Sequence, residues 1–303
     1  MKQTVYAHEH DQEKTLERLE KTMLENINSF YRAFLYNLYI ICKTVEYVIT
    51  DVQIRSEKFI QAEKENFSVQ LFYNPIIQHL VEKENLYREM RREKLDNRAD
   101  TDYFRLFFQS LKKSEEYERY SGKENPLLPE DQEIISFIYK HILFPNEIFQ
   151  QHIEDIFPGW LDDKDAIYHS VINTIASISP AQKAFVINRS KEMKESKEFA
   201  INLLRSTLHH EEELTFLIAP FLENWDKERL AIMDFILMKM AVTEMLYLPE
   251  IPVKVTMNEY IEIAKIYSTP KSGEFINGIL DAIMKKLKEE EKIVKEGRGM
   301  KDD

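Results

Sequence analysis

Glycine is scarce, with six in 303 residues, about 2 % where roughly 7 % is usual. Sheet-rich folds use glycine in tight turns, and phosphate-cradling loops use it where backbone must approach a ligand, so the scarcity argues against both. The one cysteine, Cys42, excludes an internal disulfide framework and any Cys-rich zinc site. Within the run Tyr39-Ile40-Ile41-Cys42 it reads as a buried, inert thiol. No apolar run reaches the ~18 residues that a membrane-spanning helix needs, and the start, MKQTVYAHEHDQEK, is too charged for a secretory leader. The expectation is a soluble cytoplasmic chain with no membrane partner. An excess of basic charge is missing too: 41 Lys and Arg stand against 53 Asp and Glu, a net charge of −12. Binding that neutralises RNA phosphates usually needs a basic face, so any RNA contact must be local or shared with a basic partner.

What remains is rich in Leu, Glu, Lys, Ile and Met, mostly good helix formers, and the chain reads as all-α. From Leu16 the apolar positions run Leu19, Met23, Ile27, Phe30, Phe34, Leu38, Ile41, Val45, Val48 and Val52. Steps of three and four keep one stripe on one helix face. This is one helix of about 50 residues or two with an unplaced break, and a helix that long needs a packing partner along its length. An elongated helical bundle is therefore expected. The interleaved charges from Arg88 to Arg105 read as a solvated helix face. Ser121-Gly122-Lys123-Glu124-Asn125-Pro126 with Pro129 is the clearest loop, and it sets a boundary near residue 130. The reading is an N-terminal helical region over 1–130, a helical domain over 131–290, and a charged tail over 291–303 that should fray.

Motifs for catalysis fail on inspection. A phosphate loop needs Lys and Ser or Thr after its second glycine; Gly273 and Gly278 are followed by Ile279 and Leu280. No Gly-x-Ser-x-Gly elbow occurs. His8 and His10 lie two apart and point away from each other on a helix, while His209 and His210 are adjacent. None of the eight histidines has Glu three residues before it, as a carboxylate-bridged di-iron bundle requires. The expectation is no catalytic residue, no metal, no cofactor and no small-molecule substrate.

The strongest pattern spans Asn224 to Leu287. Asn224-Trp225-Asp226-Lys227-Glu228-Arg229 has the capping Asn and first-turn carboxylates of a helix start. Leu230, Met233, Leu237, Met240 and Ala241 continue it as an apolar stripe, and Pro249 and Pro252 stop it. A second helix lies around Met257–Lys265. A third begins near Ser272, after Ser268-Thr269-Pro270. Asn277-Gly278 inside it costs about 1 kcal/mol relative to Ala at the glycine, and the structural expectation is that Gly278 lets a neighbouring helix approach closely.

Here the chain resembles the NusB family of transcription antitermination factors. The resemblance is carried by Trp225…Arg229…Asp234…Ile236-Leu237, then Ala241…Glu244-Met245-Leu246. It continues through Ile251-Pro252-Val253-Lys254-Val255-Thr256-Met257-Asn258-Glu259, Glu262-Ile263-Ala264-Lys265 and Phe275-Ile276-Asn277-Gly278-Ile279-Leu280-Asp281. The last run is similar to the family's Phe-Val-Asn-Gly-Val-Leu-Asp signature. Compact members are about half this length, so the chain resembles a long form with an insertion between its first helix and its C-terminal half.

The resemblance implies a non-enzymatic adaptor for transcription regulation. With NusE, a small-subunit ribosomal protein, such a factor binds boxA RNA on nascent ribosomal RNA transcripts. Together with RNA polymerase the complex keeps transcription processive. An acidic surface would attract a small basic partner. Matched residue by residue, the resemblance implies RNA contacts at Tyr6, Lys254, Lys271 and Phe275, and partner contacts at Glu228 and Asp234. Gln3-Thr4-Val5-Tyr6-Ala7 is similar to the Gln-x-Leu-Tyr run of the family's first helix. The family's Arg-rich stretch before that run has no counterpart here, and Met1 is read as falling inside the first helix. Two alternatives to RNA contact stay open: core packing for Phe275 and plain surface charge for the two lysines. A helical scaffold that binds NusE but has lost direct RNA binding is the competing function.

Overall fold

The computed structural model describes residues 15–58, 68–179, 190–222, 232–269 and 271–302, and every regular element among these is helical. The chain divides into two compact units, one of Asn26–Ser190 and the other of Met1–Glu25 with Lys191–Asp303. The boundary expected near residue 130 does not coincide with this division. Residues 131–178, assigned from sequence to the C-terminal half, supply Ile134, Tyr139, Phe149, Trp160 and Val171 to one continuous core with Leu38 and Phe107.

The helix α1 (Leu16–Lys58) runs unbroken for 43 residues. Its apolar stripe is buried as the spacing predicts, at Leu19, Met23, Phe34, Leu38, Ile41, Val45 and Val48. The surprise is that Ala33 to Cys42 are buried on every face. The polar groups on the additional faces are paired, which makes their burial tolerable. Tyr139 donates to Asn37 Oδ1 at 2.9 Å, and Asn37 Nδ2 donates back to the Ala33 carbonyl at 2.8 Å. Tyr39 donates to the Asp96 carbonyl at 2.8 Å, and Tyr36 Oη lies 2.8 Å from His152 Nε2.

Around this pillar, within Asn26–Ser190, stand α2 (Pro75–Gln78), α3 (Leu86–Arg92), α4 (Thr101–Lys112), α5 (Glu115–Ser121), α6 (Leu128–Phe137), α7 (Glu147–Ile156) and α8 (Trp160–Ser177). Their starts follow capping chemistry. The side chains of Asn74, Asp100, Ser114 and Asn146 each accept a first-turn amide, and Pro75 opens α2 where its missing N–H costs nothing. The loop at 122–127 falls between α5 and α6, where glycine and proline had marked it.

The second unit holds α9 (Ser190–His209), α10 (Glu211–Ile218), α11 (Ile232–Tyr247), α12 (Val253–Tyr267) and α13 (Ser272–Glu289). Here α11 is the central helix, buried continuously from Ile236 to Met245. Its polar members have partners: Lys239 Nζ donates to Glu211 Oε1 at 3.0 Å, and Thr243 Oγ1 donates to the Lys239 carbonyl at 2.8 Å. The helix start expected at Asn224 lies outside the described residues. The charged tail, expected from sequence to fray, carries regular structure through residue 302. It ends in a 3₁₀ turn, Gly297–Asp302, and the Glu296 amide donates to the Pro249 carbonyl at 3.0 Å. Lys295 Nζ donates to the carbonyls of Glu244 and Leu248 at 3.1 and 3.0 Å, placing a cation at the C-terminal end of α11 where the helix dipole favours it.

Candidate RNA and partner interface

The turn from α12 into α13 is organised by one buried carboxylate. Asp234, on the first turn of α11, is only 4 % exposed. Its Oδ1 accepts the Ser268 hydroxyl at 2.5 Å and its Oδ2 accepts the Ser272 hydroxyl at 2.8 Å. Ser272 Oγ has committed its one proton to Asp234, so it serves as acceptor for the rest of the turn. The Thr269 amide donates to it at 3.2 Å, and the Thr269 hydroxyl lies 2.8 Å away. Asp234 thus joins α11 to both ends of the turn that presents Lys271. The carboxylate is not on the surface where direct partner contact was expected, because both its oxygens are occupied inside the chain.

Lys271 precedes the first residue of α13 and is exposed; Phe275, on the first turn, is half-buried. Phe275 is thus neither a core residue nor a freely projecting one. The start of α13 sits tightly on α12. A Cβ on Gly273 would stand 3.1 Å from Lys265 Cγ, whereas a Cβ on Gly278 would meet nothing within 4 Å. The close approach expected at Gly278 therefore occurs at Gly273, one and a half turns earlier, and Gly278 is exposed.

Lys254 is exposed, but it lies in the first turn of α12. Thirteen residues separate it from Tyr267 at the other end, about 20 Å at 1.5 Å per residue. The structure therefore groups Lys271 with Phe275 and leaves Lys254 at the far end of α12. Tyr6 and Glu228 lie outside the described residues.

Sequence reasoning missed Ser268, Ser272 and Gly273. The serines carried a signal, since Ser and Thr cluster at helix starts; Gly273 carried none. A second buried carboxylate, Glu244 on α11, accepts the Thr256 hydroxyl of α12 at 2.7 Å and the Tyr260 hydroxyl at 3.4 Å. Burial raises its pKa above the usual carboxylate range, against the opposing pull of Thr256, Lys295 and Tyr260. Among the described residues no group of three His, Cys, Asp or Glu side chains could hold a metal, and no helix is long and apolar enough to cross a membrane.

Fold and site together define an all-α protein whose candidate functional surface is the edge of a helical turn bearing a cation and an aromatic ring. The profile of the NusB family matches residues 164–285. Three curated relatives are each named transcription antitermination protein NusB. The chain is 44 % identical to that of Chloroherpeton thalassium over 107 residues, covering 35 % of this chain and 51 % of the relative. It is 45 % identical to that of Salinibacter ruber over 105 residues, 35 % of this chain and 66 % of the relative. It is 38 % identical to that of Thermodesulfovibrio yellowstonii over 104 residues, 34 % of this chain and 69 % of the relative. The chain belongs to the NusB family. Its aligned part spans between half and about two thirds of the first two relatives' own length. No solved structure matches it.

Proposed function

We propose that this protein is a transcription antitermination factor which, together with NusE, binds boxA RNA of nascent ribosomal RNA transcripts and supports processive transcription by RNA polymerase. It performs no chemistry of its own. The observation that carries the reading is the pairing of an exposed Lys271 with a half-buried Phe275 at the start of α13, on a turn fixed by Asp234. A ring held by its helix can stack an unpaired base, and a cation four residues away can meet the adjoining phosphate. Lys254 adds a second phosphate contact along the same strand. Tyr6 and Glu228 complete the RNA and partner contacts. Asp234 serves partner recognition as a positioning residue, by setting the turn that the partner meets. A chain with a net charge of −12 gains from a basic partner that supplies most of the phosphate contacts.

The test is a fluorescence titration of labelled boxA-containing leader RNA with this chain, with NusE, and with both, at two salt concentrations. Tighter binding by the pair than by either protein alone, absent on scrambled RNA and weakening as salt rises, is expected. A pair that binds RNA no better than NusE alone would overturn the reading and favour a scaffold that contacts protein only.

A further inference from the structure

Charges of both signs are interleaved from Arg88 to Arg98, but the fold sorts them. Glu89 is 8 % exposed and is held by Arg92 at 2.6 Å. Glu93 is half-buried and is held by Arg32 at 3.1 Å and by Arg92 at 3.4 Å; Asp96 is half-buried too. The cations of the same segment stand outward, with Arg88, Arg91, Arg92, Lys94 and Arg98 all exposed. Of these, only Arg92 has an ion pair among the described residues. The acids that border the segment are Glu82 and Asp100, and Asp100 is engaged in capping α4. At 3.6 residues per turn, Arg88, Arg91 and Arg92 fall within an arc of about 100° on α3. The turn after the helix brings Arg98 back beside them. The Tyr36 and Tyr39 rings stack with centroids 5.8 Å apart. Burial raises the pKa of both phenols, and Arg98 pulls against it at Tyr36 as Arg91 does at Tyr39. Lys94 holds a left-handed backbone, φ 55°, just past the helix end, where glycine is the ordinary residue. A cation thus stands where the backbone alone favours a residue without a side chain.

We propose that this face of the unit Asn26–Ser190 is a second RNA contact, one that grips the phosphate backbone of a transcript without reading its bases. The inference rests on the RNA-binding reading above for the identity of its ligand, and it adds a surface outside residues 164–285, where the family profile matches. A chain of net charge −12 repels RNA from most of its surface. A face whose acids are turned inward or neutralised is where a strand can lie. The choice of RNA over an acidic protein follows from what the face lacks. Among the described residues, no large apolar side chain between Tyr73 and Leu106 is exposed, so the apolar centre typical of a protein interface is missing. A polyanion held by charge needs no such centre. The choice of phosphate over bases follows likewise. Tyr87, the aromatic residue of α3, is half-buried with Lys43 Nζ 4.4 Å from its ring centroid, so it offers no open ring for stacking, whereas guanidinium forks suit phosphate oxygens.

The experiment takes full-length wild type, the double variant Arg88→Gln, Arg91→Gln, the variant Lys94→Gly, and Phe275→Ala. Each is titrated alone against labelled oligouridine of about 30 nucleotides, and with NusE against labelled boxA leader RNA, over a range of salt concentrations. The double variant should melt near the wild-type temperature and Lys94→Gly at or above it, because glutamine is a good helix former and glycine suits the left-handed position. Oligouridine affinity should fall about fivefold in the double variant and about twofold in Lys94→Gly, with the slope of log affinity against log salt flatter by about 0.7 for each cation removed. Phe275→Ala removes no cation and should keep the wild-type slope. If the double variant binds oligouridine with wild-type affinity and slope, or wild type does not bind it, the second contact is refuted; boxA binding that still gains from the pair then leaves the reading above standing. If poly-L-glutamate binds wild type more tightly than oligouridine does, and the double variant loses that binding, the face receives an acidic protein and the inference is overturned. Wild type that binds oligouridine no better than the double variant does, and adds nothing to NusE on boxA RNA, sinks both.

Discussion

Asp234→Ala isolates the group on which the α12–α13 turn depends. The substitution removes the acceptor for two hydroxyls, Ser268 and Ser272. A hydrogen bond to a charged group contributes about 1.5–3 kcal/mol, and a buried donor left without an acceptor costs about 1–3 kcal/mol. Ser268 is half-buried and can turn to water, so its loss lies at the low end. Ser272 is 2 % exposed and cannot turn to water, but its hydroxyl can redirect to Thr269 Oγ1 at 2.8 Å or Ser268 Oγ at 3.0 Å, so its loss is moderated too. Relief of burying a carboxylate offsets part of the total, leaving a net loss of about 1–3 kcal/mol. Asp234→Asn keeps one acceptor oxygen and should lose about half as much. The loss is local to one turn, so the assay is hydrogen exchange at the amides of Ser272 and Phe275, which bond to the carbonyls of Thr269 and Lys271. Their protection should drop selectively in the variants, and RNA affinity should fall although Lys271 and Phe275 are untouched. Protection within about 0.5 kcal/mol of wild type in Asp234→Ala, a margin small beside those bond strengths, would refute the argument.

Glu244 gives a prediction whose sign follows from proton linkage. Its folded pKa lies above the unfolded value, so between the two the native state holds a proton that the unfolded state has released, and stability falls as pH rises through that window. Glutamine has no proton to lose, can still accept from Thr256, and can donate toward Tyr260. Glu244→Gln should therefore equal or exceed wild type in stability at pH 7, with the advantage shrinking as pH is lowered into the ordinary carboxylate range; an advantage that grows on acidification in urea titrations would contradict this. At the tail, a Cβ on Gly299 would stand 2.0 Å from the Pro249 carbonyl oxygen, a backbone atom that cannot rotate away. Gly299→Ala should unseat residues 295–300 and lose about 1–3 kcal/mol with the Lys295 and Glu296 bonds, read as lost protection of the Glu296 amide and a lower melting temperature; retained protection would show that the tail is held elsewhere.

How much of this was legible in the sequence depended on the range of the interaction. Helix formers, capping Asn, Asp and Ser, and the three-and-four spacing from Leu16 are local signals, and the helices follow them. The break left open in α1 does not exist, because nothing between Leu16 and Lys58 competes with the helical backbone. Burial of Ala33–Cys42 on all faces was illegible, because it depends on acceptors and rings 57 to 116 residues away, at Asp96, Tyr139 and His152. The same holds at the site. Motif resemblance brought Lys271, Phe275 and Asp234 forward, but Asp234 reaches Ser268 and Ser272 across 34 and 38 residues, and that pairing turns a residue expected on a surface into one that shapes it. Glycine makes the limit plainest. Gly273, Gly278 and Gly299 are the same residue type, yet one lets a helix seat on its neighbour, one meets open space, and one admits a carbonyl where no side chain fits. The residue type announces only that a Cβ is missing, and what fills or needs the space is decided by atoms elsewhere in the fold.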